Sequence, residues 1–394
     1  QYDQHYLNHF HNVSPFTLDT DRSIQLAPKV PHAGLHGVFA DALHDGWGLL
    51  LQDRIFRQHG ILPANITAMD RLALVGASAL GALSFSPESE YTDRIEREIS
   101  FDKLGLHAQA IFDGQTEDIL AELVATGSSG GARPKAQLYF KNGNIQHCRT
   151  IPGPDDEAWL VKFTSAKLAL GHEEGLCEAA YLSLAGMAGL NPPQWTLLDA
   201  PQRSGAKKWL ALKRFDYIHN PNGLPGRLHL HSACGLLDAD FRAPSLDYED
   251  LIKASSILCK SPAVGQLQFK RALFNLLVCN QDDHSKNWAF LQNDKGEWQP
   301  APFYDVTFSP HPFAEHATSF AGFGKQPPLK ALQKLADAAG FARWSIARQS
   351  IKEMIEVITE FSTIANNLGV NANTTTLINR QLLQSCKNVS DIIS

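Results

Sequence analysis

The spacing of apolar residues changes along this chain, and the change divides it. In GVFADALHDGWGLLLQDRIF (37–56), Trp47, Leu50, Leu51 and Ile55 recur at helical intervals and predict a helix. From about residue 118 to 215 the pattern shortens to compact apolar runs, AQLYF (136–140), WLVKF (159–163) and WLALKRF (209–215), which predict strands. Between the last two lies EEGLCEAAYLSLAGMAGL (173–190), rich in Ala and Leu and closed by Gly189 and the Pro192-Pro193 pair, the pattern of a helix and its stop. Helical spacing returns after about 217, over 247–260, 265–279, 329–339 and 344–367; in the last, Ile351, Ile355, Ile358 and Phe361 form one stripe. The expected fold is α+β and two-lobed, with a β-containing N-terminal lobe and a mainly α-helical C-terminal lobe. Its expected parts are an N-terminal subdomain (1–100), a strand-bearing lobe (101–216) and a helical lobe (217–394). FDYIHNPNGLPG (215–226) supplies the Asn, Pro and Gly of a hinge between lobes, and ligands often bind at such junctions.

Composition narrows the class. At 394 residues, 44% of them hydrophobic, the chain has material for two or three cores, which excludes intrinsic disorder. Its 35 Lys and Arg against 41 Asp and Glu leave a net charge of -6, so nucleic acid is not expected to be held by global charge. The longest weakly polar run, Leu72 to Phe85, is broken by Gly and Ser and falls short of the ~20 residues a membrane span needs. The first twenty residues are polar and His-rich, unlike a secretory signal. The six cysteines include no C-x-x-C pair and fit unpaired thiols in a reducing compartment. The expectation is a cytoplasmic protein that does not enter a membrane.

The densest chemistry lies in CNQDDHSKNWAFL (279–291). Asp282 and Asn287 stand five apart, the separation of Asp and Asn in the kinase catalytic loop. There a carboxylate orients the attacking hydroxyl and an amide oxygen holds Mg²⁺ against the phosphates. APFYDVTFS (301–309) then offers Asp305 as a second carboxylate, of the kind that usually anchors Mg²⁺. Upstream, Lys162 is an unusual residue for an apolar strand, and Glu178 in the following helix suits a strand-Lys to helix-Glu pair. Taken alone, each is an edge-strand lysine and an exposed helix glutamate. ATGSSGGARPKAQLYF (125–140) places Ser128, Ser129, Gly130 and Gly131 before a strand, where backbone N–H groups could wrap phosphates, yet it matches no standard phosphate-loop motif. His229 and His231 would share a strand face but lack a third metal ligand, and HEEG (172–175) is not a zinc-protease motif.

Together and in order, GSSGGARPKA, VKF, EAAYLSLA, KRFDY, DDHSKN and FYDV resemble the HipA family of serine/threonine-kinase toxins, as do GVFADALHDGWG and LALVGASALGALSF nearer the start. The resemblance runs over nearly the whole chain. It implies a protein-kinase-like fold using ATP and Mg²⁺, with Asp282 catalytic, Asn287 and Asp305 on the metal, and Lys162 on the phosphates. It further implies nucleotide contacts from Ser129, Gly130, Gly131, Lys286 and Glu178, and an adenine-contacting hinge at Lys213, Arg214 and Phe215. Lys213 departs from the acidic residue that family members often carry there. Ser128 stands where these kinases phosphorylate themselves, although Ser129 beside it leaves the modified serine open. The implied partners are a protein substrate and a small helix-turn-helix, HipB-like antitoxin, through which alone the chain would meet DNA. Two alternatives stay open: a small-molecule phosphotransferase, and a catalytically weak kinase-fold module acting in a transcriptional repressor complex.

Overall fold

The computed structural model describes residues 1–91, 99–118, 123, 131–141, 143–145, 148–218, 225–243 and 245–394. It divides into two compact units, one of residues 26–175 and 194–230, the other of residues 1–25, 176–193 and 231–394. This differs from the three consecutive parts expected above. The first 25 residues group with the helical unit, as does most of the Ala-rich helix, while the remainder of the N-terminal segment groups with the strands.

The strand-bearing unit contains helices α1 (Gly46–Gln58) and α2 (Phe101–Phe112), and strands β1 (Lys135–Lys141), β2 (Cys148–Arg149), β3 (Asp156–Lys162), β4 (Trp195–Asp199) and β5 (Lys208–Lys213). The strands form one antiparallel sheet in the order β2-β1-β3-β5-β4, so β3 is central. Side chains alternate across a strand, and one face carries Ala136, Leu138 and Phe140 of β1, Val161 and Phe163 at the end of β3, and Trp209 and Ala211 of β5. Phe101, Leu104, Ala108 and Ile111 of α2, together with Trp47 and Leu51 of α1, complete that core. The predicted helix over 37–56 is interrupted. Asp45 is extended and Gly46 takes a positive φ of 44°, so α1 begins only there, with Trp47, Leu51 and Ile55 buried and Leu50 left at the surface.

The other unit contains α3 (Glu174–Met187, from Leu176 onward), α4 (Tyr248–Leu258), α5 (Pro262–Leu277), α6 (Leu329–Ala338), α7 (Trp344–Ile358), α8 (Phe361–Asn367) and α9 (Ala372–Ile393). Short strands β6 (Leu246–Asp247) and β9 (Thr318–Ser319) pair in parallel, and β7 (Ala289–Gln292) with β8 (Trp298–Pro300) makes a hairpin. The predicted helix over 344–367 is two helices. Thr359 turns its hydroxyl onto the carbonyl of Glu356 at 2.6 Å, and α8 restarts at Phe361 so that Ile358 and Phe361 both remain buried. None of the six cysteines forms a disulfide; Cys259 and Cys279 are partly exposed. Burial pushes the thiols of Cys148, Cys259 and Cys386 up to about 12 and that of Cys279 up to about 11, so they remain protonated at neutral pH. Among the described residues no helix is long and apolar enough to cross a membrane.

Gly105 in α2 provides a test of this packing. A Cβ there would stand 2.2 Å from the Trp209 ring, which is fully buried and cannot swing aside. Helix propensity alone makes Gly105→Ala stabilising by about 1 kcal/mol. The packing makes it destabilising by roughly 1–3 kcal/mol. Urea unfolding of Gly105→Ala is therefore expected to show a lower midpoint than the parent, and a higher one would refute this docking of α2.

Candidate active site

The loop that carries Asp282 is fixed where α5 ends. Cys279 takes a left-handed φ of 54°, and the N–H of Asn280 returns to the carbonyl of Asn275 at 3.0 Å, closing the helix in a Schellman arrangement. The chain then runs beside Ser309: the Gln281 N–H reaches the Ser309 carbonyl and the Ser309 N–H reaches the Cys279 carbonyl, both at 3.3 Å. The Asp282 N–H donates to Ser309 Oγ at 3.3 Å. Asn287 Nδ2 donates to the Asp282 carbonyl at 2.8 Å, so the five-residue spacing closes into a compact loop.

Asp305 is brought to this loop from both sides. On one side, the neighbouring Tyr304 donates its hydroxyl to the Lys286 carbonyl at 2.8 Å. On the other, Ser309 holds 279–282 as described. Arg271 anchors the approach to this segment. Its guanidinium is buried and gives its N–H groups to the carbonyls of Leu190 (2.9 and 3.1 Å) and Ala301 (3.1 Å), with the Phe303 ring 5.2 Å away. Burial pushes its pKa down to about 9. Asp305 has φ 54°, a second left-handed residue that glycine would adopt at less cost.

The two adjacent aspartates have opposite environments. The Asp282 side chain is 68% exposed, with His284 Nε2 3.7 Å from its Oδ1. Asp283 is 1% exposed and surrounded by donors. Lys286 lays its ammonium 4.3 Å from the centre of the Phe241 ring. His231, one of the pair weighed above as metal ligands, is buried with its Nε2 2.9 Å from Ser14 Oγ.

In the strand-bearing unit, Lys162 ends the central strand and is 5% exposed, so it is not an edge-strand lysine. Directly opposite it in the ladder stands Lys135, 4% exposed. These two ammonium-bearing residues share the sheet face turned away from the α1–α2 core, and sequence reasoning assigned only one of them to the site. The signal for Lys135 was its place in GGARPK, at the start of the strand pairing with β3. Gly131 precedes it with φ 95°, and a Cβ at Gly131 would stand 2.8 Å from Lys135 Nζ. Ser128, Ser129 and Gly130 lie outside the described residues. Gly131 and Lys135 are held by the Trp47 N–H on the Gly131 carbonyl (2.9 Å), by Trp47 Nε1 on the Lys135 carbonyl (2.9 Å), and by the Asp45 carboxylate, which accepts the Gly131 N–H.

At the expected hinge, Lys213 pairs with Glu157 at 2.7 Å, and its backbone N–H goes to the Gln194 carbonyl at 2.8 Å. Arg214 is turned inward. Its Nε meets Asp216 Oδ1 at 3.0 Å, and its other nitrogens reach Asp216 Oδ2 and Gln137. Burial alone would lower its pKa, but the Asp216 charge and hydrogen bond more than offset that and hold it raised. Phe215 between them is half-buried. Glu178 is 2% exposed on α3, so it is not a surface glutamate. It belongs to the helical unit, Lys162 to the strand-bearing one.

Comparison with known proteins places this chain. Residues 127–367 match the HipA-like C-terminal domain and residues 1–86 the HipA N-terminal domain. Y4dM of Sinorhizobium fredii, which bears a kinase name, is 27% identical over 207 residues, 50% of this chain and 48% of that protein. The chain thus spans about half the length of that relative. The serine/threonine-protein kinase toxin HipA of Shewanella oneidensis is 24% identical over 328 residues, 74% of this chain and 68% of that protein. The solved structure of Shewanella oneidensis MR-1 HipA with HipB and operator DNA aligns with a TM-score of 0.70 at 18% identity, covering 100% of this chain and 92% of that one. The fold is accordingly the two-lobed, kinase-like α+β fold, and with its family models covering both the N-terminal segment and the stretch holding Lys162, Asp282 and Asp305, the chain belongs to the HipA family.

Proposed function

We propose that this chain is an ATP- and Mg²⁺-dependent serine/threonine-protein kinase that acts as the toxin of a toxin–antitoxin pair. The observation that carries the reading is the closed loop from Asp282 to Asn287, with the Asp305 segment bonded to it through Tyr304 and Ser309. The toxin role and a helix-turn-helix antitoxin partner rest on the family and on the HipB-bound relative.

The donor set suits the implied ligands. Because Asn287 Nδ2 is committed to the Asp282 carbonyl, Oδ1 is the amide atom left to accept a cation. With the Asp305 carboxylate it offers two hard oxygens, the kind Mg²⁺ takes alongside substrate phosphates. Bound there, Mg²⁺ would neutralise charge on the phosphates. Lys162, and beside it Lys135, present ammonium groups suited to phosphate oxygens. Asp282, exposed and fixed at its N–H and carbonyl, accepts or orients the proton of a serine hydroxyl while its own backbone stays still. A carboxylate this open can be approached by a hydroxyl on a separate protein.

Asp282→Asn is expected to lower phosphoryl transfer by about 10²–10⁴-fold. Its melting temperature should barely move, since an exposed charge is removed and no cavity is made. Mass spectrometry of the protein incubated with ATP, Mg²⁺ and cell extract reads the transfer, and near-parent turnover in the variant would displace Asp282 from this role. Asp305→Asn should require far more Mg²⁺ for half-maximal activity; overlapping titrations would reject the metal assignment.

Ser128 is proposed as the site of self-limiting autophosphorylation. In the kinase reading, a phosphate there would add about -1.5 to -2 charges beside the nucleotide's own phosphates. Ser128→Ala should keep its initial rate and lose the slow decline of activity on incubation with ATP. A phosphate found on Ser129 would instead shift the assignment by one residue.

A further inference from the structure

Asp283 is an unusual place to leave a charge. Its carboxylate has almost no exposure, and burying an anion is costly unless donors replace the lost water. The donors are present and come from two distant stretches. Oδ1 accepts the N–H groups of Ala317 (2.9 Å) and Thr318 (3.3 Å). Oδ2 accepts the Tyr248 hydroxyl and the Nδ1–H of His316 at 2.8 Å. The Asp283 carbonyl also accepts Thr318 Oγ1 at 2.7 Å. Since a carboxylate oxygen has no hydrogen to give, His316 must hold its proton on Nδ1. Burial, and after it the charge of Asp283, keep the Tyr248 hydroxyl protonated and therefore a donor.

From Tyr248 the bonds continue and return. Asn275 Nδ2 donates to the Tyr248 hydroxyl (3.1 Å), Asn280 Nδ2 to Asn275 Oδ1 (2.9 Å), and Ser309 Oγ to Asn280 Oδ1 (2.8 Å). Ser309 Oγ then receives the N–H of Asp282 at 3.3 Å. The chain of hydrogen bonds leaves from Asp283 and comes back to the residue before it.

We propose that Asp283 is the positioning residue of this site: it locks the 282–287 loop to the 316–318 segment, with His316 and Tyr248 as its orienting donors, and thereby fixes the direction of the Asp282 carboxylate. The proposal rests on the kinase reading of Asp282. Asp283 cannot itself serve as the base, because its oxygens already face four donors inside the protein.

The test compares His316→Leu, His316→Asn and Tyr248→Phe with the parent. Leucine keeps the apolar contact with Phe320, whose ring centre lies 5.1 Å from that of His316, but removes the donor. Asparagine restores an N–H close to the Nδ1 position. Misplacing a reacting group by about 1 Å can cost about 10²-fold in rate. His316→Leu is therefore expected to lose activity on that scale in kcat, with ATP affinity within about twofold of the parent by the same reasoning, and His316→Asn to recover most of it. Amide hydrogen exchange should quicken together in 280–287 and 316–318 and nowhere else. Equal loss in the Leu and Asn variants, or parallel loss of kcat, ATP affinity and protection throughout the unit, would reduce Asp283 to a structural residue and overturn the proposal. Tyr248→Phe removes one hydroxyl without changing shape, so it carries the same readout if the His316 variants fold poorly. Hydrogen exchange needs no turnover. If the parent transfers no phosphoryl group, the kinase reading falls, while joint loosening of the two segments still upholds the lock and separate loosening still rejects it.

Discussion

An ionised carboxylate shut away from water must collect hydrogen-bond donors, and the positions of those donors then become constraints on the chain. Asp283 draws on α4 through Tyr248 and on the segment after Asp305 through His316, Ala317 and Thr318. Asp247, which caps α4 by accepting the Glu249 N–H at 2.8 Å, holds the same segment a few residues further on. It accepts the N–H groups of Ala321 (3.1 Å) and Gly322 (2.7 Å) and the Ser319 hydroxyl at 2.5 Å. Two carboxylates thus fasten one stretch of irregular backbone to α4. The irregularity is tolerated because its polar groups are met, which is the general condition for buried non-repetitive chain.

The strand-bearing unit uses the same device with a different pair. Arg214 and Asp216 are both nearly inaccessible, and Asp216 also accepts the N–H of Gly81 at 2.8 Å. Gln137 on β1 completes the set through its contact with Arg214. The ion pair therefore joins the end of β5, the middle of β1 and the N-terminal segment. Removing one member of such a pair is costlier than the pair itself is stabilising, because the survivor is left charged and buried. KRFDY consequently reads as a structural fastening.

The repeating elements were legible in the sequence because their signal is periodic. Ala136, Leu138 and Phe140 alternate as a strand must, and Trp47, Leu51 and Ile55 recur as a helix must. The loop from Asp282 to Asn287 was also legible, through its spacing. What sequence could not show was decided by hydrogen bonds between distant residues and by local backbone geometry. Thr359 ends a helix inside an unbroken apolar stripe, and Gly46 begins one by taking a conformation that side chains resist. Lys135 is set directly opposite Lys162 by the ladder register, which its place in GGARPK does not by itself reveal. The spacing to Asn287 singles out Asp282, but the sequence does not show that Asp283 is the buried one of the two, since identical side chains one residue apart differ only in which way the fold turns them.

That difference has a chemical consequence. A carboxylate that meets solvent can exchange its partners and take part in proton transfer, whereas one ringed by fixed donors can only hold. Placing both in adjacent positions means that the fixed one sets the backbone from which the mobile one projects, with no intervening rotatable residue to blur the direction. The strand face bearing Lys135 and Lys162 follows a related logic. Two ammonium-bearing residues directly opposite each other repel, so their burial requires negative charge close by, supplied by the protein or by a ligand. Preorganised charge of this kind is set in place during folding, and its cost is met by the packing of the sheet on α1 and α2.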